Sequence, residues 1–181
     1  MRTFIRFFAI VWVLTLLASC GGKTVPPPPE PKASYAEKAI VLHFKADSQL
    51  NRFQNSPHAL HLCIYQLANP NIMNQYAGDA SGISQLVQCK KFDPSVTVTK
   101  KIVMQPDSEA TYVLDRAQGT TYLALAAGYY HLDKEHAVRL VKIPVVEKSK
   151  GWFRKKITRH LGHLEVSFEL GPEGLEIAGE H

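Results

Sequence analysis

The stretch Leu164-Glu165-Val166-Ser167-Phe168-Glu169-Leu170 sets Leu164, Val166, Phe168 and Leu170 against Glu165, Ser167 and Glu169. Successive side chains of an extended backbone point to opposite faces, so this is a strand with one side in a core and the other in water. Outward from it, the same period of two recurs. Lys38 to Ala46 carries Ile40, Leu42 and Phe44 on one face and Val41, His43 and Lys45 on the other. Ser95 to Met104, Glu109 to Leu114, Ala137 to Val146 and Leu161 to Leu170 continue the alternation, and Leu175 to Ile177 follows a Gly171-Pro172 turn. Two strands differ. Ala59 to Leu67 is apolar on both faces and therefore central, and Thr120 to Tyr130, with Ala124, Ala126 and Gly128, is small enough to admit another layer close by. Between Ile72 and Gln88 the apolar spacing becomes helical, and Gly78 and Gly82 divide it into two short helices over a sheet edge or end. About eight strands and no long helix predict a mainly β fold, an antiparallel sandwich of two sheets with one or two short added helices. A closed barrel is the competing architecture.

The chain starts differently. Arg2 and Arg6 precede an apolar run, Phe7 to Leu17, which ends in Leu17-Ala18-Ser19-Cys20. A positive start, a short apolar centre and small residues before a cut mark a secretory signal. Phe4 to Leu17 is too short to cross a bilayer, which takes about 20 residues. The pattern of Leu, small, small, Cys resembles the lipobox of bacterial lipoproteins, which implies a signal peptide over residues 1–19 and an acylated Cys20 at the start of the mature chain. Several acyl chains hold a protein on a membrane where one does not. Gly21 stands where an Asp retains such lipoproteins at the inner membrane, so the resemblance implies the periplasmic face of the outer membrane. Residues 20–37, with Pro26 to Pro29 and Pro31, read as an extended tether, and 38–181 as one β-sandwich domain.

Removal of residues 1–19 takes away two arginines and no acid, lowering the net charge from +5 to +3. Such a mild balance, without a basic stripe interleaved with stacking aromatics, points away from nucleic acid. In an oxidising compartment, Cys63 and Cys89 form an even pair and are expected to bridge; two buried thiols are the alternative.

The chain's eight histidines invite a metal or catalytic reading. His58 and His61, like His160 and His163, are three apart, a separation that sends side chains to opposite sides of a strand, and neither an HExxH nor a CxxC completes a ligand set. No GxSxG, SxxK, calcium loop or phosphate loop occurs. No cofactor, no metal and no enzymatic activity are expected.

Two stretches look like recognition surfaces. Asp47 to Pro57 holds Leu50 and Phe53 among polar residues, either as contacts for a partner or tucked against the domain. Lys148 to Arg159 gathers Lys148, Lys150, Arg154, Lys155, Lys156 and Arg159 around Trp152 and Phe153. It is a solvated hairpin tip, or a surface for anionic headgroups or an acidic partner.

The order of elements carries a further resemblance. A lipobox, a polar tether, a strand, a loop with Leu50-Asn51, then Pro57 leading to a strand ending Ile64-Tyr65-Gln66-Leu67, a helical insertion, the turn Gln105-Pro106-Asp107-Ser108, and the strands Leu123 to Tyr130 and Val138 to Val145 resemble the outer-membrane lipoprotein family of the type VI secretion membrane complex, TssJ. The resemblance implies a transthyretin-like sandwich that is not an enzyme and that holds the periplasmic C-terminal region of the inner-membrane subunit TssM. It places the contact on Ser48, Gln49, Leu50, Asn51, Arg52, Phe53, Gln54 and Asn55, so that deleting Asp47 to Asn55 is expected to lose the partner without unfolding the domain. The Cys63 and Cys89 pair, the histidines around Pro57 and the basic segment depart from the family pattern. A periplasmic module for a small ligand or glycan, with Tyr129, Tyr130 and Trp152 as platforms, is the rival expectation.

Overall fold

A computed structural model describes residues 29–150 and 156–180; the segment expected to be a signal peptide, Cys20, most of the stretch expected to be a tether, and Trp152, Phe153, Arg154 and Lys155 lie outside the described residues. Among the described residues, ten strands and two helices follow one another: β1 (Ala36–Ala46), β2 (Leu60–Leu67), α1 (Asn71–Ala77), α2 (Ala80–Leu86), β3 (Val96–Met104), β4 (Glu109–Arg116), β5 (Tyr122–Ala127), β6 (Val138–Lys142), β7 (Val145–Lys150), β8 (Lys156–Leu161), β9 (Leu164–Leu170) and β10 (Leu175–Glu180). One sheet runs β10-β9-β1-β4, the other β3-β2-β5-β6, and β7 and β8 make a separate two-stranded ribbon.

The alternation of β9 and β1 has the expected outcome. Ile40, Leu42, Phe44, Leu164, Val166, Phe168 and Leu170 meet Leu60, Leu62, Ile64, Leu123 and Leu125 of the facing sheet in the central core. Pairing is antiparallel throughout except between β1 and β9, which run parallel from Ile40 opposite Leu164 to Ala46 opposite Leu170. These two strands are far apart in sequence, so no short hairpin dictates their direction.

β2 is apolar on both faces because it sits between two layers. Its second face, Cys63, Tyr65 and Leu67, packs with Ala124 and Ala126 of β5 under Met73 and Leu86 of the helices. The alanines of β5 are the small residues that let the helical layer approach. Asp79 caps α2, its side chain accepting from the Gly82 amide at 2.7 Å. A Cβ at Gly82 would collide with the Tyr76 backbone, so α1 and α2 can cross closely only with glycine there. The Cys63–Cys89 disulfide, with Cα atoms 5.1 Å apart, closes the helical insertion onto β2.

Three sequence-predicted strands are cut shorter. Thr120 to Tyr130 ends as β5 at Ala127, because the Gly128 amide turns to the His61 carbonyl at 3.0 Å and the Tyr130 amide to the Asn51 side chain. Ala137 to Val146 divides at Ile143-Pro144, since proline has no amide to continue a ladder. Leu161 to Leu170 divides at Gly162-His163, leaving Leu161 in β8. Val145 and Val146 from the first of these breaks and Leu161 from the second extend the ends of the Lys148 to Arg159 segment, expected as a hairpin tip, into the β7–β8 ribbon, which accounts for ten strands where about eight were expected.

Candidate functional site

The connections fall at two opposite ends of the sandwich. The segment ahead of β1, expected to be a tether, enters at one end, beside the β4–β5 turn, where the Gly119 amide donates to the Ala33 carbonyl at 2.7 Å. The β1–β2 loop, the β3–β4 turn, the β5–β6 loop and the β9–β10 turn gather at the other, distal end. The Asp107 amide donates to the Asp47 carbonyl (3.2 Å), the Arg52 amide to the Pro172 carbonyl (2.9 Å), and the Tyr130 amide to the Asn51 Oδ1 (2.9 Å). The loop between the first two strands is thus tied to three neighbouring connections.

Within this loop the residues separate into two sets. Leu50 is wholly buried and belongs to the central core; Asn51 is 3% exposed. The Asn51 Nδ2 donates to the Ala59 carbonyl at 3.1 Å while its Oδ1 receives the Tyr130 amide, so one amide side chain closes the loop on itself and onto the β5–β6 loop. These two residues therefore do not offer side chains to a partner. The apolar residue at position 50 is tucked into the domain, the alternative that the sequence left open.

The outward set is Ser48, Gln49, Arg52, Phe53, Gln54 and Asn55. Phe53 and Ser56 exchange two backbone hydrogen bonds, 2.9 and 3.0 Å long, around Gln54 and Asn55, both with positive φ (49° and 61°). That is a two-residue turn of the I′ kind, which fixes the tip of the loop. The Phe53 ring stacks on Tyr130, with centroids 4.6 Å apart and planes at 18°, and the His58 ring meets Tyr130 edge-on at 5.0 Å. Tyr130 is 55% exposed. Arg52 reaches Glu173 of the β9–β10 turn at 3.5 Å. An aromatic pair with a rigid backbone, amides and an arginine around it has the composition of a protein-binding hot spot. The contribution of Tyr130, from a different connection, was not legible as part of this surface, because only the fold brings it against Phe53.

The other candidate sites are dispersed. Tyr129 is buried and points away from Tyr130's surface, with burial holding its hydroxyl far above the ordinary phenol range; Trp152 lies outside the described residues. Tyr129 and Tyr130 form no shared platform. His43 pairs with Glu165 and His136 with Asp133, both near the surface, and no cluster of three metal-ligating side chains occurs among the described residues. His61 lies against Gly128 and its Nε2 is 3.2 Å from the Val87 carbonyl; burial, then the nearby Lys101 charge, lowers its pKa against the opposing pull of that carbonyl. Of the basic segment, Lys148 and Lys150 stand exposed on β7, and Lys156 opens β8.

The family model described as type VI secretion lipoprotein, VasD, EvfM, TssJ matches residues 38–164. The chain belongs to this family. The TssJ fold is shared with solved structures of low identity. The T6SS lipoprotein TssJ1 from Pseudomonas aeruginosa superimposes with a TM-score of 0.57 at 16% identity, over 82% of this chain and 96% of that one. Serratia marcescens Lip, described as a membrane bound component of the Type VI Secretion System, gives 0.55 at 17% identity, over 81% and 98%. A chain from a structure described as the T6SS protein TssM C-terminal domain (869-1107) from EAEC gives 0.55 at 14% identity, over 77% and 97%. No curated protein matches the sequence.

Proposed function

We propose that this chain is a non-catalytic anchor of the type VI secretion membrane complex. Residues 1–19 are a signal peptide, Cys20 carries the lipid, residues 20–37 are the tether, and the sandwich is held on the periplasmic face of the outer membrane. The outward part of the β1–β2 loop, exposed Ser48, Gln49, Arg52, Gln54 and Asn55 with half-buried Phe53, binds the periplasmic C-terminal region of a TssM-like inner-membrane subunit. The carrying observation is the placement of this loop: it is rigid, capped by the stacked Phe53–Tyr130 pair, and at the end of the domain opposite the tether. A subunit fastened at one end and gripping at the other passes tension from one membrane to the next without any chemistry.

Burial of Leu50 changes the test. Deleting Asp47 to Asn55 removes a core side chain and unfolds more than the loop, so outward residues are the ones to alter. Phe53→Ala combined with Arg52→Glu is expected to weaken binding of the TssM periplasmic region by at least ~2 kcal/mol in calorimetry, with the unfolding transition nearly unmoved. An unchanged dissociation constant would place the contact elsewhere.

A further inference from the structure

The ribbon leaves the sandwich at the tether end. β6 finishes there, β9 begins there, and neither β7 nor β8 is hydrogen-bonded to a sheet strand. Every β7 residue is exposed. Cross-strand partners share a face of a ribbon, and the register divides the ribbon's charges unequally. One face carries Val145 with Leu161, Glu147 with Arg159, and Ser149 with Ile157. It is charge-balanced: Arg159 Nε donates to Glu147 Oε1 at 2.6 Å, and Leu161 is buried at the base, where it joins the central core. The other carries Val146 with His160, Lys148 with Thr158, and Lys150 with position 156, also a lysine. This second face has no acid, and no Asp or Glu occurs in sequence between Glu147 and Glu165. The four ion pairs among the described residues include neither Lys148 nor Lys150.

The base of the ribbon is fastened to the tether. Arg116, 4% exposed and at the end of β4, donates through Nη1 to the Gly162 carbonyl between β8 and β9 (2.9 Å), and through Nε and Nη2 to the Ser34 carbonyl (3.4 Å each). Next to it, Asp115 accepts from the Tyr35 hydroxyl at 2.7 Å and from the Lys38 amide at 2.8 Å. The groove between tether and ribbon base, about 570 Å³, is lined on one side by Glu30 and Pro31 and on the other by Val145, Glu147, Arg159 and Leu161. The balanced face is thus turned to the tether and the domain, and the lysine face is left outward. From Cys20 to Ala33 the backbone can span at most ~45 Å, and the ribbon projects ~17 Å from its base. A surface holding Cys20 is within reach of the ribbon.

We propose that the Lys148–Lys150 face of the β7–β8 ribbon lies on the anionic phospholipid surface beside the lipid anchor. The cations supply attraction to headgroup phosphates, and Arg116, by fixing ribbon base to tether, orients the domain so that the distal loop points away from the bilayer. The inference rests on the reading of Cys20 as lipidated, and the two can fail separately. Palmitate labelling and outer-membrane fractionation of the unaltered chain report on the anchor alone.

The ribbon is tested with the chain from position 20 carrying Cys20→Ser, which cannot be acylated. Sedimentation is measured with phosphatidylethanolamine vesicles containing phosphatidylglycerol, and with phosphatidylcholine vesicles. Partitioning to the anionic vesicles alone, weakening with salt, is expected. Lys148→Gln/Lys150→Gln should lower that partition at least tenfold, each lysine near a charged surface contributing about fivefold. Lys45→Gln/Lys134→Gln, which removes the same charge at the distal end, should change it less than twofold, and thermal unfolding of both variants should match the parent. The proposal is overturned if the parent ignores the anionic vesicles, if it binds phosphatidylcholine equally, or if the ribbon variant binds like the parent or the distal variant loses as much. Capture of an acidic protein by the ribbon, with no vesicle binding, would likewise overturn it.

Discussion

The β1–β2 loop and the β7–β8 ribbon are two excursions from one sandwich, and they are built on opposite plans. The loop folds back: Leu50 enters the core, Asn51 closes the chain on itself, and backbone amides tie it to three other connections. The ribbon stands off, held by its own ladder and by contacts at its base. A surface that must present fixed geometry to a protein gains from lost freedom before binding. A surface that meets headgroups needs charge of one sign and little shape. On the two proposals above, the domain places its specificity on the loop that is tied back to its neighbours and its general attraction on the ribbon that stands off.

Cutting side chains at matched sites tests this contrast most severely. Leu50→Ala should destabilise the domain by ~2–5 kcal/mol in urea denaturation, because it leaves a cavity in the central core. Ile157→Ala on the ribbon, already 42% exposed, should cost no more than ~0.5 kcal/mol. Comparable losses at the two sites would mean that the ribbon packs as a part of the body.

A smaller effect is expected at the link between connections. Asn51→Ala should cost ~1–3 kcal/mol, since the Ala59 carbonyl and the Tyr130 amide lose their partner. Amide exchange at Tyr130 should speed up far more than exchange in β9. Unchanged protection at Tyr130 would show that the aromatic pair is held by other contacts.

The least effect comes from proton binding. The folded state lowers the His61 pKa through burial and Lys101, so neutral His61 contributes stability that is complete above the ordinary imidazole value of ~6.5. That contribution falls away as the pH drops through the lower folded value. His61→Gln should flatten the stability profile between pH 7 and 5, and an equal slope in parent and variant would assign the acid sensitivity to another group.

How far the sequence could be read follows from how local each cause is. The β1 and β9 alternation is a local pattern, and it named its core residues correctly because a period of two leaves one face for burial. β2's double apolarity likewise announced its place between layers. The break at Ile143-Pro144 was hidden because Val141, Ile143 and Val145 keep the period of two across it, so only pairing partners separate β6 from β7; at Gly162-His163 the period slips between Leu161 and Leu164, a local sign of the break between β8 and β9. At the loop, one apolar residue was core and the other surface. Position 50 is filled by the fold and position 53 by its turn, and nothing in the composition of Asp47 to Pro57 distinguishes them. Tyr130 was legible as an aromatic but not as the partner of Phe53, since the Asn51 bridge that brings them together joins residues far apart in the chain.

The bond between Cys63 and Cys89 has a practical corollary. It fastens the helical layer over β2, so protein made in a reducing cytosol would carry that layer clasped only by packing, while exported protein would carry it locked. A titration of accessible sulfhydryls should therefore precede any affinity or melting measurement, because two preparations of one polypeptide would otherwise be compared as if they were the same molecule.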